Sequence, residues 1–112
     1  MIIRPQAEVS PEEVREEGVR DVKRQVLLGE HEGAPNFILR RFTVAPGGFT
    51  FYHSHSFEHE IYILKGKGIA RSDKGEIAFR AHTAILVKPN EVHQFVNSGT
   101  TDLIFLCIIP RV

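Results

Sequence analysis

Short runs of apolar and β-branched residues fill the chain from residue 22 onwards, and turn residues such as Gly, Pro, Asn and Asp separate them. Runs of this length with such punctuation are typical of β-strands joined by tight connections. The nine runs lie at residues 22–29, 36–44, 49–55, 60–66, 68–72, 76–80, 84–89, 92–97 and 102–110. Their number and spacing predict a single all-β domain, a sandwich or a barrel.

One helix signal precedes these strands, in the sequence SPEE at residues 10–13. Ser10 is a suitable N-cap, Pro11 suits the first helical position, and Glu13 stands where a capping box needs a carboxylate. Gly18 follows closely and limits the length. The pattern predicts one short N-terminal helix.

Composition changes this picture little but excludes some partners. The 112 residues suit one domain, residues 1–112, with one core. Because 14 basic residues balance 14 acidic ones, no net field attracts nucleic acid or an anionic membrane. The single cysteine, Cys107, excludes an internal disulfide, and the first residues lack the apolar run of a signal peptide. We expect a cytoplasmic protein.

Histidine is concentrated in one place: three of the six histidines fall within residues 53–59. On an extended strand His53 and His55 point to the same face, because successive side chains alternate. His59 keeps the same parity beyond a bend, and His93 follows a turn from which a neighbouring strand can deliver a fourth imidazole. We predict that these four bind one divalent metal ion, whereas His31 and His82 are interpreted as ordinary core or surface residues.

The histidine spacing resembles the first motif of the cupins, which reads Gly, five residues, His-x-His, three or four residues, Glu, six residues, Gly. Four positions fall in register, namely Gly47, His53, His55 and Gly66. His59 occupies the glutamate position, so the set of ligands implied by the resemblance is His53, His55, His59 and His93. The first motif spans residues 47–66.

The second cupin motif, Pro-x-Gly-x-x-His-x-x-x-Asn, aligns on His93 and Asn97 within residues 82–97. Lys88 stands at the proline position and Asn90 at the glycine position. Asn can take the place of glycine there because it tolerates the left-handed backbone conformation. His82 stands where the motif often opens with a further glycine.

Both motifs together make the chain similar to single-domain cupins, and most of all to the small four-histidine cupins of thermophilic bacteria that bind manganese. That resemblance implies a double-stranded β-helix, or jelly-roll barrel, and manganese as the first choice of metal. Iron, copper and nickel also accept imidazole ligands, and zinc is a weaker choice because four histidines already fill its tetrahedron. Four neutral ligands would leave the ion its full charge and two open positions, which favours an anionic oxygen ligand.

Strand parity also identifies candidates for the pocket wall. Phe95 shares a face with His93, and Phe105 and Cys107 share one face of the last strand. If that face is the inner one, both lie near the metal, although Cys107 could equally be a small core residue. Acid or base chemistry would have to come from Tyr52, Glu60 or metal-bound water. Parity turns Glu60 away from the histidines. We therefore expect Glu60 to accept a hydrogen bond from an imidazole N–H, and direct binding of the metal by Glu60 is the less favoured alternative.

Two functions follow from these residues and the resemblance. The first is a metal-dependent oxygenase, dioxygenase-like, acting on a small enol, aromatic or alkene-containing substrate. The alternative is a non-catalytic cupin that binds a small ligand or a metal as a sensor or scavenger. A sugar isomerase is disfavoured, because Phe, Ile and Val dominate the strands near the histidines.

The last strand is apolar on both faces, and one of these faces needs cover from another sheet or subunit. Its odd-numbered residues are Leu103, Phe105, Cys107 and Ile109, and its even-numbered residues are Ile104, Leu106 and Ile108. The N-terminal segment MIIRPQ could add to the sheet edge of a partner. We therefore expect a homodimer.

Overall fold

Nearly the whole chain is extended in the computed structural model, which describes residues 1–111. The strands are β1 (Glu12–Glu13), β2 (Arg20–Leu28), β3 (Phe37–Phe49), β4 (His59–Lys65), β5 (Lys67–Ser72), β6 (Gly75–Arg80), β7 (Ala84–Val87), β8 (Gln94–Asn97) and β9 (Leu103–Pro110). The all-β jelly-roll prediction is confirmed. Val112, which the predicted domain includes, lies outside the described residues.

The strands form one curled sheet in which β3 is the branch point. Along one path the order is β6-β5-β8-β3-β9-β4-β7, and β2 pairs with β3 while β1 pairs with β2. The first part of β3 pairs with β9, and its last residue, Phe49, pairs with Val96 of β8. A single long strand thus passes from one half of the curled sheet to the other and holds the two halves together.

The prediction of a helix at residues 10–13 is wrong. Glu12 and Glu13 are extended and pair with Arg24 and Lys23 of β2, so each acidic side chain lies opposite a basic one. A helix of one turn gains little because nucleation is unfavourable, whereas opposite charges across a strand pair stabilise it. Helical structure in residues 1–111 is limited to two 3-10 turns, Gln6–Glu8 and Glu30–Glu32, and neither is long and apolar enough to cross a membrane.

The predicted strand at residues 49–55 is also largely absent. Only Phe49 belongs to a strand, as the last residue of β3, and the following residues are irregular apart from one isolated bridge between His53 and His93. Since this segment must present imidazoles to one point, its backbone leaves the regular ladder.

The core lies on the inner face of β2, β3, β4 and β9, with one buried residue each from β6, β7 and β8. Register across the β3–β9 ladder pairs Phe42 with Phe105 and Val44 with Leu103, so these side chains meet on one face. The largest fully buried side chains are Ile63, Leu103, Val22, Val44 and Cys107. The odd-numbered residues of β9 therefore face the interior.

Three tight turns need the left-handed backbone. Gly66, between β4 and β5, has φ 89°, and a Cβ there would lie 2.7 Å from the carbonyl oxygen of Asp102. Asn90 and His82, the two positions where the cupin pattern has glycine, have φ 66° and 67°. The backbone keeps the glycine conformation at both positions, and Asn bears it at lower cost than His.

The outer face of β4, β7 and β9 exposes apolar side chains around one carboxylate, that of Glu60. Tyr62, Leu64, Leu86 and Ile108 are each between 38% and 50% exposed. Adjacent strands bring them together, because Glu60 pairs with both Leu86 and Ile108. An apolar patch of this kind is unfavourable in water unless another surface covers it.

We expect this face to form a homodimer, so that light scattering at micromolar protein gives twice the chain mass of 12.7 kDa. Tyr62→Glu should shift the mass towards the monomer, because dimerisation would bury the new charge. Ile77→Glu is the matched control, since Ile77 is 74% exposed on β6, at the far end of the sheet path. A wild-type monomer at this concentration would contradict the expectation.

Candidate metal centre

Four histidines from three parts of the chain meet at one end of the barrel interior. His53 and His55 lie on the irregular segment after β3, His59 is the first residue of β4, and His93 directly precedes β8. Two backbone hydrogen bonds fasten the segment: His53 N donates to His93 O at 3.2 Å, and His93 N donates to His53 O at 2.9 Å. The turn at Asn90 adds a third, from Asn90 N to His55 O at 2.7 Å.

The ring nitrogens are close enough to share one ion. Those of His53, His55 and His93 lie within 4.8 Å of one another. His59 falls outside that group of three but contacts it directly, with its Nε2 3.0 Å from Nε2 of His93. Two ligands at right angles, each about 2.1 Å from an ion, would lie about 3.0 Å apart. The spacing of His59 and His93 therefore fits two neighbouring ligands of one metal.

Backbone carbonyls orient two of the rings. Nδ1 of His55 donates to the carbonyl oxygen of Phe57 at 2.6 Å, and Nδ1 of His93 donates to that of Glu91 at 2.8 Å. Because a carbonyl only accepts, both Nδ1 atoms carry the proton and both Nε2 atoms present a lone pair. Carbonyl partners thus prepare these rings for metal binding, as outer partners of metal-bound histidines commonly do.

A sulfur atom contacts the fourth ring. Nδ1 of His59 lies 3.1 Å from Sγ of Cys107, and Nη2 of Arg40 donates to the same sulfur at 3.2 Å. Burial raises the pKa of the Cys107 thiol, against the opposing effect of Arg40. The ring of His59 is therefore positioned by a side chain, whereas the rings of His55 and His93 are positioned by backbone carbonyls.

The site favours neutral imidazoles. Burial, followed by the neighbouring rings of His93 and His55 and by Arg40, lowers the pKa of His59 to about 3. Burial also lowers the pKa of His53, with smaller contributions from the same neighbours, and it lowers that of His93 despite the hydrogen bond to Glu91. Neutral rings are the form that binds a metal ion.

These observations fit a metal ion. Neutral nitrogen donors in a pre-oriented cluster suit a divalent transition metal of the series from manganese to zinc. His53, His55 and His93 would hold it together, and His59 is placed to join them.

The histidines lie at the end of a cavity of about 240 Å³. Its wall is mostly apolar and aromatic, and it includes Phe51, Phe57, Phe42, Phe95, Phe105, Ile61 and Val22. The Phe42 and Phe105 rings stack with centroids 5.2 Å apart, and Phe95 lies 5.8 Å from Phe105. Two arginines, Arg24 and Arg40, also line the cavity.

The other candidates from the sequence divide into two groups. Phe95, Phe105 and Cys107 line the cavity. Tyr52 is 51% exposed and does not belong to the lining, and Glu60 lies on the outer face, paired with Leu86 and Ile108. The acceptor role expected of Glu60 is taken by the Phe57 and Glu91 carbonyls, because β4 begins at His59 and turns the next side chain outward.

Sequence reasoning missed the two arginines. Arg40 pairs with Cys107 across β3 and β9, and Arg24 pairs with Phe42 across β2 and β3, which brings both to the inner face. The inward position of Arg40 could have been predicted from the alternation in residues 36–44, because Arg40 shares parity with Phe42 and Val44. A charged residue at an inward position of a strand pattern is a candidate functional residue.

Residues 40–109, more than half of the chain, match the family Cupin_2, described as a cupin domain. The chain belongs to the cupin family. The matched segment contains all four histidines. Over 115 aligned residues this cupin is 31% identical to the "Oxalate-binding protein" of Thermotoga maritima, an alignment that covers 97% of this chain and 93% of the relative.

Solved structures agree with this assignment. The polyketide cyclase RemF from Streptomyces resistomycificus superposes with a TM-score of 0.92 at 33% identity, covering 98% of this chain and 79% of the cyclase. A Thermotoga maritima protein described as a predicted oxalate decarboxylase superposes with a TM-score of 0.86 at 28% identity, covering 99% of this cupin and all of the other chain. Proteins with different described activities thus share this barrel.

Alanine at His53, His55, His59 or His93 is expected to weaken metal binding at least about tenfold, because even outer partners of a metal ligand contribute that much. Metal analysis after dialysis against a metal buffer measures it. Alanine at His31 or His82 is the control and should leave metal content unchanged. A similar loss at all six positions would contradict the assignment, as would a melting temperature that chelation does not lower.

The pH dependence of stability offers a separate check on metal-free protein. Unfolded His59 takes up a proton near its ordinary pKa of 6.5, whereas the folded protein does so only near 3. Between these values the unfolded state binds more protons, so His59 makes the free energy of unfolding fall by up to about 1.4 kcal/mol per pH unit as pH decreases. Above this window the contribution is absent, and below it the loss is complete.

Urea unfolding between pH about 7 and about 4 measures this effect. His59→Gln, which keeps a polar side chain that does not titrate, should lose less stability across the window than the wild type. Parallel curves for the two proteins would contradict the burial of a neutral His59.

Proposed function

We propose that this cupin is a metal-dependent oxygenase acting on a small enol, aromatic or alkene-containing substrate, with manganese as the most favoured metal and iron or copper as alternatives. One observation carries the proposal: neutral imidazoles converge at the end of a small aromatic cavity that also contains two cationic side chains. Three features support the proposal. The charge of the cavity favours an anionic substrate, its wall favours a flat apolar one, and its scarcity of proton-transfer groups favours oxidation.

The charge of the cavity favours an anion. Burial and mutual repulsion keep the rings of His53, His59 and His93 neutral, so a divalent ion there would retain its charge. Arg24 and Arg40 add two positive groups, and Glu16, which is exposed, is the carboxylate among the cavity-lining residues of the described chain. An enolate or phenolate oxygen is therefore stabilised there.

The wall favours a flat apolar body. Phe42, Phe95 and Phe105 lie with neighbouring ring centroids 5.2 and 5.8 Å apart, and such rings pack well against another π-system. A volume of about 240 Å³ is below the roughly 300–1,000 Å³ of pockets for drug-sized ligands. A substrate the size of a substituted benzene fits this space, and its ring would pack against the phenylalanines of the wall.

Few of the described side chains that line the cavity are suited to moving protons. The lowered pKa values of His53, His59 and His93 make these rings weak bases, and burial raises the pKa of the Cys107 thiol. Oxidation of a substrate already bound as its anion needs no base from the protein, in contrast to an isomerisation or an aldol-type closure. A transition metal, when bound, supplies a Lewis-acidic centre for the anionic oxygen and a redox-active site for dioxygen.

The relatives support the substrate class more than the reaction. RemF is described as a polyketide cyclase, and polyketides are rich in enolisable carbonyl groups. Because a cyclisation does not consume dioxygen, turnover is also tested without dioxygen.

A second candidate function is non-catalytic binding of a small carboxylate. The 31% identical relative is named an oxalate-binding protein, and the arginines of the cavity suit a carboxylate as well as an enolate. On this reading the metal and the cavity hold a ligand without turnover, as in a sensor or scavenger.

Oxygen uptake decides between these functions. Protein loaded separately with manganese, iron or copper is mixed with a catechol, a 1,3-diketone or a styrene, under air and under argon. We expect one metal and substrate pair to consume dioxygen and substrate together, while His53→Ala protein remains a blank. Turnover under argon would replace the oxygenase by a cyclase or isomerase, and binding without any turnover would favour the second candidate.

A further inference from the structure

We propose that Arg24 and Arg40 form an anion subsite in the cavity, separate from the histidines, and that the ligand is an aromatic or enolic carboxylate whose carboxyl group these arginines bind. The proposal rests on the proposed function in one respect, namely that the hydroxyl or enol oxygen of the ligand lies at the metal centre. The subsite itself depends only on residues of the chain and needs no metal.

Strand register brings the two arginines to one face. Arg24 lies opposite Phe42 on the β2–β3 ladder, and Arg40 precedes Phe42 by two residues on β3. Since paired residues and residues two apart share a face, all three side chains point to the barrel interior. The Arg40 guanidinium lies 5.0 Å from the centre of the Phe42 ring. Arg24 and Arg40 are therefore diagonal neighbours across Phe42.

Both guanidinium groups have donors to spare. The Nε atoms of Arg24, Arg40 and Arg41 are buried and have no hydrogen-bond partner within residues 1–111, and of these three arginines Arg24 and Arg40 line the cavity. Arg40 uses Nη2 on the Cys107 sulfur, a weak acceptor, and Nη2 of Arg24 forms a long ion pair with the Glu12 carboxylate, at 3.8 Å. Buried polar groups are normally satisfied, so unpaired Nε–H groups beside a cavity point to an absent acceptor.

A carboxylate is the acceptor that fits best. Guanidinium groups bind it through two parallel N–H···O bonds, which would use the free Nε–H together with an Nη–H. The phenylalanines of the wall would pack against the ring or chain that carries the carboxyl group.

The position of the subsite sets the shape of the ligand. Arg40 and His59 contact the same Cys107 sulfur, at 3.2 and 3.1 Å, so the arginine pair and the histidines border one continuous space. Phe42 and Phe105 form the wall beside it. A hydroxybenzoate-like molecule would place its carboxylate on the arginines, its ring along the phenylalanines and its hydroxyl towards the histidines.

The test uses metal-free protein with benzoate and benzamide, which have nearly the same shape but differ in charge. Calorimetry and ligand-observed NMR should show benzoate binding roughly ten- to a hundredfold more tightly, as expected for charge-assisted hydrogen bonds. Arg24→Gln and Arg40→Gln should each remove most of this preference. Arg41→Gln is the matched control, because Arg41 lies on the same strand but bonds Gln25 and Thr43 on the opposite face.

Circular dichroism and melting curves establish that each variant is folded. If Arg40→Gln does not fold, Arg40→Lys replaces it; it keeps the charge but lacks the planar fork, and it should lose part of the preference. Arg24→Gln tests the subsite whether or not the Arg40 variants fold. The Arg24 side chain is 35% exposed and makes no hydrogen bond in the described chain, so its replacement should not prevent folding.

Equal affinity for benzoate and benzamide in the wild type would overturn the subsite, and so would an equal loss in Arg41→Gln. His53→Ala should keep the preference, which separates this subsite from the metal centre. A preserved preference without oxygen uptake would contradict only the proposed function, whereas oxygen uptake without any preference would contradict only the subsite.

Discussion

The mutual approach of neutral imidazoles in an apolar barrel is the constraint on which the site depends. Nε2 of His59 and Nε2 of His93 lie 3.0 Å apart, and the carbonyl of Glu91 fixes the proton of His93 on its other nitrogen. A lone pair is thus aimed at a neighbouring ring, an arrangement that a shared cation stabilises. The barrel holds the rings in place through the bridge between His53 and His93 and through the long branching strand β3.

The inner face of the barrel adds positive charge and aromatic surface beside the histidines. Arg40 contacts the sulfur that also contacts His59, and it stacks on Phe42, which packs against Phe105. Positive charge and aromatic surface therefore alternate along one wall. An anion with a flat apolar body is complementary to both, and this complementarity links the metal centre to the chemistry proposed for it.

Local spacing allowed much of this arrangement to be predicted. Strand parity placed Phe105 and Cys107 on one face of the last strand but left open which face is the inner one, and the His-x-His pair with its distant partner His93 identified the convergence. Both depend on the alternation of side chains, a property of short stretches of chain. The positions where Asn90 and His82 replace glycine kept the left-handed backbone that the cupin pattern implies.

Features that depend on tertiary contacts were missed. The SPEE segment has good helix-starting residues, but pairing of Glu12 with Arg24 on β2 outweighs that local preference. Arg24 shares the strand parity of the buried Val22, but its position beside Arg40 follows from its register against Phe42, which no local pattern specifies. Glu60 has the right chemistry for an imidazole partner, yet the strand direction turns it outward and leaves the role to backbone carbonyls, which sequence does not distinguish.

X-ray absorption spectroscopy at the edge of the bound metal counts the imidazoles that bind the ion. A four-histidine centre should give a first shell of nitrogen and oxygen atoms at about 2.0–2.2 Å whose multiple scattering requires four imidazoles, falling to three in His59→Gln protein. A shell with at most two imidazoles, or one unchanged by His59→Gln, would contradict a four-histidine centre.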